Sequence, residues 1–375
     1  MSRHYGLDWL RIGAFALLIL YHIGMAFVPW PWHVKLAQLD WVRVPMLATN
    51  AWRLPLLFLV SGYATRAVLM RSGSPGGFAW ERTKRLLIPV LFAAFVIIPP
   101  QPWVELVTQH GYRVSLPTFW FGDYLRFGAL EGIVLPTWQH LWFVVYLWAY
   151  TLAVAVGAAL VPSHVATALD RGFARLFQGW RLIVVPIAYL IVARALLLPF
   201  PETHALVDDW GGHAAYLPVF LFGVALARAP ALLAAAARRW TFALTVGLLA
   251  YGAVAVMTLL DVGSSDGGLA ASVRAATRLV QGWCAIVALL GVAHRFWNRD
   301  HRWRATLGEA VFPAYIVHQT IIVVVAFALL GAGLPLWADF AVLVLATAVG
   351  CALFYLAGRS VAPLRPLIGL RAARR

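Results

Sequence analysis

Apolar residues run along this chain in long stretches broken by short polar connections. They do not form the one-faced stripes of a water-soluble protein. A helix crossing a bilayer needs about 20 predominantly apolar residues. Ten runs fit or approach that length: Leu7–Phe27, Pro45–Met70, Leu86–Pro99, His140–Leu160, Leu182–Leu198, His213–Ala227, Trp240–Leu260, Ala276–Phe296, Ala310–Leu330 and Leu336–Ala357. The third and sixth are short. The first is too long for the apolar core of a cleaved signal and lacks a small-residue cleavage site, so it is read as a retained span. No repeat or soluble segment emerges. The expectation is an all-α, polytopic transmembrane helix bundle of about ten spans, one integral-membrane domain over residues 1–375. The longest connection, Pro100–Gln139, is rich in Pro and aromatic residues and is expected to pack on the membrane surface.

Charge orients the runs. Lys and Arg recur on every second connection: Arg66, Arg71, Arg82, Lys84 and Arg85 after the second span, Arg171, Arg175 and Arg181 after the fourth, Arg228, Arg238 and Arg239 after the sixth, and Arg295, Arg299, Arg302 and Arg304 after the eighth. Arg359, Arg365, Arg371, Arg374 and Arg375 follow the last. The intervening connections carry the acidic residues, among them Asp40, Glu105, Asp123, Asp209 and Asp266. By the positive-inside rule both termini are cytoplasmic. Trp30, Trp32, Trp41, Trp103, Trp120 and Trp138 gather on the outer side, where indole rings suit the headgroup layer.

Composition agrees. The chain is 62% hydrophobic and only 12% charged, with mean hydropathy +0.79, about half the charge that covers a soluble surface. The net charge of +15 sits in membrane-flanking loops, which argues against nucleic acid as a partner. Cys284 and Cys351 lie within apolar runs and read as small core residues.

Ionisable groups inside spans are costly and therefore informative. Arg11 and His22 are eleven residues apart, close to three helical turns and roughly 16 Å of rise, so they share a face. Asp8 lies on that face too, although pairing with Arg11 or a helix-start preference would explain it. Arg53 is too deep for easy snorkelling. Ser61-Gly62 admits close approach by a helix or a thin acyl chain. Arg82 and Arg85, one turn apart, have the spacing to grip phosphates, though positive-inside charge alone accounts for them. His140, beside Trp138 and Trp142, suits sugar stacking or an interfacial belt. His318 is buried in the ninth span with Tyr315 on its face, while Gln319 points elsewhere. Glu309 reads as a helix-start charge, and His213 is a weaker candidate. No metal-ligand spacing is present, so no metal is expected.

These segments resemble the integral-membrane acyltransferase-3 family of bacterial O-acyltransferases. The resemblance rests on an Arg and a His with ten residues between them in the first span (Arg11, His22) and on the R-x-x-R pair Arg82 and Arg85. FLVSGY (Phe58–Tyr63), HLWFVVYL (His140–Leu147) and YIVHQT (Tyr315–Thr320) are similar to further family segments, leaning towards its glucan-biosynthesis, succinyltransferase-like branch. It covers roughly residues 5–357.

The resemblance implies a bacterial inner-membrane enzyme moving an acyl group from cytosolic acyl-CoA to a periplasmic or cell-surface glycan hydroxyl. Acyl-CoA is then a co-substrate, with no tightly bound cofactor. His22, Arg11 and Asp8 become catalytic candidates, with His22 as general base or as a transient acyl carrier. Arg82, Arg85 and Ser61 are donor-side candidates. Arg53, His140, Trp142, His318 and Tyr315 are acceptor-side candidates, Arg53 and His318 also as oxyanion stabilisers. The lipid bilayer is a partner, and a homo-oligomer is left open. No hydrolase-like appendage is evident, so any second chemical step falls to a partner protein. The competing expectation is a secondary transporter whose buried Arg and His line a substrate or proton path.

Overall fold

The computed structural model describes residues 3–197, 200, 202–263 and 268–372. Leu198, Asp266, Arg374 and Arg375, used in the sequence reading, lie outside them. In chain order the helices are α1 (Tyr5–Gly24), α2 (Arg43–Asn50), α3 (Arg53–Leu69), α4 (Pro75–Phe92), α5 (Pro100–Gln109), α6 (Leu116–Phe121), α7 (Trp142–Leu160), α8 (Ser163–Leu176), α9 (Arg181–Leu196), α10 (Trp210–Leu226), α11 (Pro230–Leu259), α12 (Gly268–Arg295), α13 (Arg304–Leu329), α14 (Leu336–Ser360) and α15 (Leu364–Leu367).

Among the described residues seven helical stretches are long and apolar enough to cross a membrane. They become nine if each bent pair is one span: α4 and its extension to Ile97 with α5, bent by 42°, and α8 with α9, bent by 99°. Helix α10 is apolar but shorter. Every predicted run falls on a helix, and the fold is a polytopic helical bundle. Among the described residues the one addition to the all-α expectation is a two-stranded hairpin, β1 (Gly128–Leu130) and β2 (Ile133–Leu135), with Leu130 opposite Ile133. Glu131 and Gly132 make its turn, both at positive φ, the conformation that matches strand twist in a two-residue hairpin.

The chain folds as two compact units interleaved in sequence. Unit 1 takes residues 1–14, 44–81 and 146–308; unit 2 takes 15–43, 82–145 and 309–375.

In unit 1 the predicted second span is two helices. Residues 51–52 break it, and Pro55 sits in the first turn of α3, where a missing N–H costs nothing. The exposed backbone is used: the buried Gln281 side chain donates to Leu47 O at 2.9 Å, and Gly282 lies where a Cβ would stand 2.6 Å from Ala51 O. Helices α3 and α10 cross with their backbones in contact. A Cβ on Gly62 would fall 2.0 Å from Phe220 O, and one on Gly223 1.9 Å from Leu59 O. The small-residue reading of Ser61-Gly62 thus resolves as helix packing on the Gly62 face. Helix α8, absent from the predicted runs, carries Val165, Leu169, Phe173 and Leu176 on one face and Arg171 and Arg175 opposite, the pattern of an interfacial helix. Its Asp170 pairs with Arg66 at 3.0 Å and Arg228 at 3.5 Å.

In unit 2 the predicted third span is the second half of a longer helix that ends in an elbow. Pro99, Pro100 and Pro102 remove backbone donors, and a π-turn over Ala93–Ile97 precedes them. The stranded carbonyls are collected by side chains. Phe95 O, whose partner would have been the N–H that Pro99 lacks, accepts from Trp120 Nε1 at 2.9 Å. Ala94 O loses Ile98 N–H to the π-turn and accepts from Tyr124 Oη at 2.6 Å. Ile97 O accepts from Thr320 Oγ1 at 2.9 Å. Connection 100–139 encloses its own small core of Leu106, Phe119, Tyr124 and Leu135.

Lys35 closes the loop after α1, donating to Met25 O at 2.6 Å and Val28 O at 2.8 Å. Burial pushes its ammonium down to about 8 from 10.5. Between those values the unfolded chain holds more protons than the folded one, so this group's contribution to stability rises with pH across that window. Thermal unfolding in detergent from pH 8 to 10 is expected to show the rise in the wild type and to lose that component in Lys35→Met.

Candidate active site

The ring cluster of unit 2 is built from α1, the loop after it, the start of α7 and α13. Helix α1 presents the half-buried His22 in its last turn. Helix α13 presents Tyr315 and His318, three residues apart on one face. His22 Nδ1 lies 2.7 Å from His318 Nε2, and the rings stack at 5.0 Å and 18°. His318 is 0% exposed, and its Nδ1 is 2.7 Å from Tyr315 O.

A carbonyl oxygen only accepts, so His318 Nδ1 carries the proton and its Nε2 is an acceptor when the ring is neutral. The proton between the two rings then belongs to His22 Nδ1, which donates. This leaves Nε2 as the basic nitrogen of His22. One backbone carbonyl therefore sets the tautomer of both rings.

Around this pair the packing is aromatic. Trp32 stacks on His22 at 5.4 Å and 20°, although the sequence reading gave it to the interfacial belt. Tyr315 stacks on His318 at 5.5 Å and 27°. His140, 7% exposed, meets His318 edge-on at 5.0 Å. Its Nε2 donates to Tyr315 O at 3.0 Å, and Tyr315 Oη donates back to His140 O. Its ring therefore ties the turn before α7 to α13. Trp142, first residue of α7, is buried as well. Both His318 nitrogens are engaged, so His318 orients His22 and is not an oxyanion donor in this arrangement.

The remaining predicted residues are distributed as follows. Arg82 is half-buried and Arg85 exposed; both fall in unit 2 on α4, one turn apart. Asp8, Arg11, Arg53 and Ser61 fall in unit 1. Asp8 accepts from Arg3 at 2.8 Å and Arg304 at 3.1 Å, so the side-chain pairing expected with Arg11 is replaced by these two. Arg11 donates to Gly308 O at 3.1 Å. Arg53 is buried and donates to Thr49 Oγ1 at 3.3 Å. Ser61 is half-buried beside Gly62. Glu309 takes Tyr355 Oη at 3.2 Å and Arg359 at 3.4 Å.

His213 is a satisfied core histidine of unit 1: Nε2 donates to Leu206 O and Nδ1 accepts from Tyr150 Oη, both at 2.8 Å. Nearby Asp209 caps α10. Burial opposes its ionisation, but Tyr146 Oη and the backbone N–H groups of Gly212, Thr203 and His204 outweigh that and hold its carboxyl below the usual range.

Two surface grooves are largely apolar, and of the predicted candidates only His213 lines one of them, the second. One, about 450 Å³, lies between Leu91, Phe95, Phe127, Val134 and Trp138 of unit 2; the other, about 430 Å³, lies between Tyr189, Phe200, Trp210 and Leu217 of unit 1. Among the described residues no group of three or more His, Cys, Asp or Glu is arranged to hold a metal ion.

Residues 4–356 match the family profile described as an acyltransferase domain, that of acyltransferase-3. The chain belongs to the acyltransferase-3 family. This acyltransferase-3 chain is 24% identical over 332 residues to glucans biosynthesis protein C of Escherichia coli O1:K1 / APEC, covering 85% of this chain and 82% of the relative. It is 23% identical, over the same shares, to the protein of that name from Escherichia coli strain K12. No solved structure matches. The family expectation from the sequence motifs therefore holds, and the chain is a multi-pass membrane acyltransferase.

The fixed tautomer can be tested directly in this acyltransferase. His318→Leu removes the acceptor for His22 Nδ1–H and, on the reading of His22 as the base, is expected to lower kcat roughly 10²–10⁴-fold, as loss of a catalytic histidine's orienting partner does. His318→Gln, whose side-chain carbonyl can accept the same proton, is expected to recover part of that loss in an acyl-transfer assay.

Proposed function

We propose that this protein transfers an acyl group from acyl-CoA to a hydroxyl of a periplasmic or cell-surface glycan, in a bacterial inner membrane, with His22 as general base. The observation that carries the reading is the His22–His318–Tyr315 chain, in which a fixed tautomer leaves Nε2 of His22 as the proton acceptor. The acceptor hydroxyl would yield its proton to Nε2 as its oxygen attacks the thioester carbonyl. The tetrahedral intermediate then collapses, the C–S bond breaks, and the CoA thiolate takes the proton back from His22. Arg82 and Arg85 are assigned to the anionic phosphates of CoA, where paired guanidinium groups bind in bidentate fashion. The name of the relatives, glucans biosynthesis protein C, supports a glycan as acceptor.

The test is purified protein incubated with a panel of acyl-CoAs and glycan, read by free CoA and by labelled glycan. Acylated glycan with matching CoA release supports the reading. Substrate uptake into vesicles without CoA consumption would instead identify a transporter.

A further inference from the structure

A second polar chain lies beside the His22 pair in unit 2, and the mechanism above does not use it. It runs through Glu105 and Gln101 of α5, His33 of the loop after α1, and Gln319 and Thr320 of α13. Its middle is sealed: Gln101 is 0% and Gln319 2% exposed. His33 Nδ1 is 2.5 Å from Glu105 Oε2. Gln319 Nε2 is 3.1 Å from His33 Nε2 and 2.9 Å from Gln101 Oε1. Gln101 Nε2 donates to Thr320 Oγ1 at 2.7 Å, and Thr320 Oγ1 donates to Ile97 O.

The direction of every bond in this chain is fixed from its ends. Ile97 O only accepts, so Thr320 donates its hydroxyl proton and must accept from Gln101. Gln101 then offers its carbonyl oxygen to Gln319, whose amide nitrogen spends its two protons on Gln101 and His33. His33 Nε2 must accept, so His33 carries its proton on Nδ1 and donates it to the Glu105 carboxylate. A break at Glu105 lets His33 turn to the other tautomer, which sets two donors face to face in a buried site. Two adjacent members of this chain adjoin the ring stack. His33 follows Trp32, with their rings 5.0 Å apart, and Gln319 follows His318.

We propose that Glu105 is a positioning residue for acyl transfer: by holding His33 as the Nδ1–H tautomer it locks the Trp32 segment and α13 in the register that stacks Trp32 and His318 on His22. The inference rests on the reading of His22 as base. Glu105 acts through His33 and does not touch the reacting atoms.

The experiment compares Glu105→Leu, His33→Phe and Glu105→Gln with the wild type in the acyl-CoA assay, each confirmed as monodisperse in detergent. Glu105→Leu and His33→Phe are expected to lower kcat on the order of tenfold to 10²-fold, with KM for acyl-CoA unchanged, as for a misplaced catalytic group. Glu105→Gln, which still accepts from His33 Nδ1–H, is expected to stay within about threefold of wild type on the same argument. Wild-type kcat in Glu105→Leu overturns the proposal. So does a Glu105→Gln loss as large as that of the leucine variant, since the charge and not the hydrogen bond would then matter. If the leucine and phenylalanine variants do not accumulate, nitrogen-15 histidine spectra of the wild-type protein decide. His33 protonated on Nδ1 alone supports the proposal, and any other state overturns it. His22→Ala is run in parallel: full activity there removes the base reading itself, whereas an inactive His22→Ala beside a fully active Glu105→Leu removes only the role of Glu105.

Discussion

His22→Ala is expected to lower acyl transfer by roughly 10²–10⁴-fold, the share a positioned general base contributes to a proton-coupled attack, while membrane insertion and detergent elution stay as in the wild type. The imidazole is half-buried, stacked between Trp32 and His318, so its removal costs packing within that stack and the folding control is run beside the activity. The loss is expected in kcat, because the base acts in the transition state and not in binding the donor. CoA release and glycan labelling should fall together. Unchanged labelling in His22→Ala would refute the assignment of the base. An accumulating acylated protein in the wild type, absent from the alanine variant, would redirect the mechanism to a covalent intermediate on the same residue.

The second large effect is structural. Gly62→Val and Gly223→Val are each expected to prevent the protein from accumulating in a folded form. The atoms that a Cβ would meet, at 2.0 Å and 1.9 Å, are backbone carbonyl oxygens of the facing helix, and these retreat only if α3 and α10 separate. Overpacking a fitted interior typically costs about 1–3 kcal/mol, and two helices held apart along a crossing lose more. Gly252→Ala in α11 is the control, since a Cβ there meets nothing within 4 Å and alanine improves helix propensity by about 1 kcal/mol. Detergent extracts analysed by size exclusion and thermal melting should separate the two classes. A monodisperse Gly223→Val with wild-type melting would show that the crossing tolerates a gap.

The helices were legible because lipid imposes length and apolarity on any element that crosses it, and the ten runs fell on helix, the second across two. Residues that act through backbone geometry were less visible. Arg53 sits at the first position of α3 because the chain breaks at residues 51–52, and neither alanine nor tryptophan there announces a break. Helix α8 was missed since its four apolar residues alternate with charge and never form a run; a search for one-sided periodicity would have found it. At the site, Arg11 and His22 share a helix face in sequence, yet Arg11 belongs to unit 1 and His22 to unit 2. The His22–His318 contact was out of reach, because nothing local links two residues 296 positions apart. Trp32 was read as one more interfacial indole, and Glu105 only as an outer-side charge. What distinguishes both is a neighbour supplied by a distant part of the chain.

That distance has a consequence for how the enzyme comes into being. Unit 2 draws on three separate stretches, and its last begins at residue 309. The elbow at residues 93–102 keeps Ile97 O waiting for Thr320, 223 residues downstream, and His22 waits for the same helix. A chain leaving the ribosome therefore threads most of its length into the bilayer before His22 gains the ring of His318. A nascent or truncated chain lacking that final stretch has no His22–His318 pair at all.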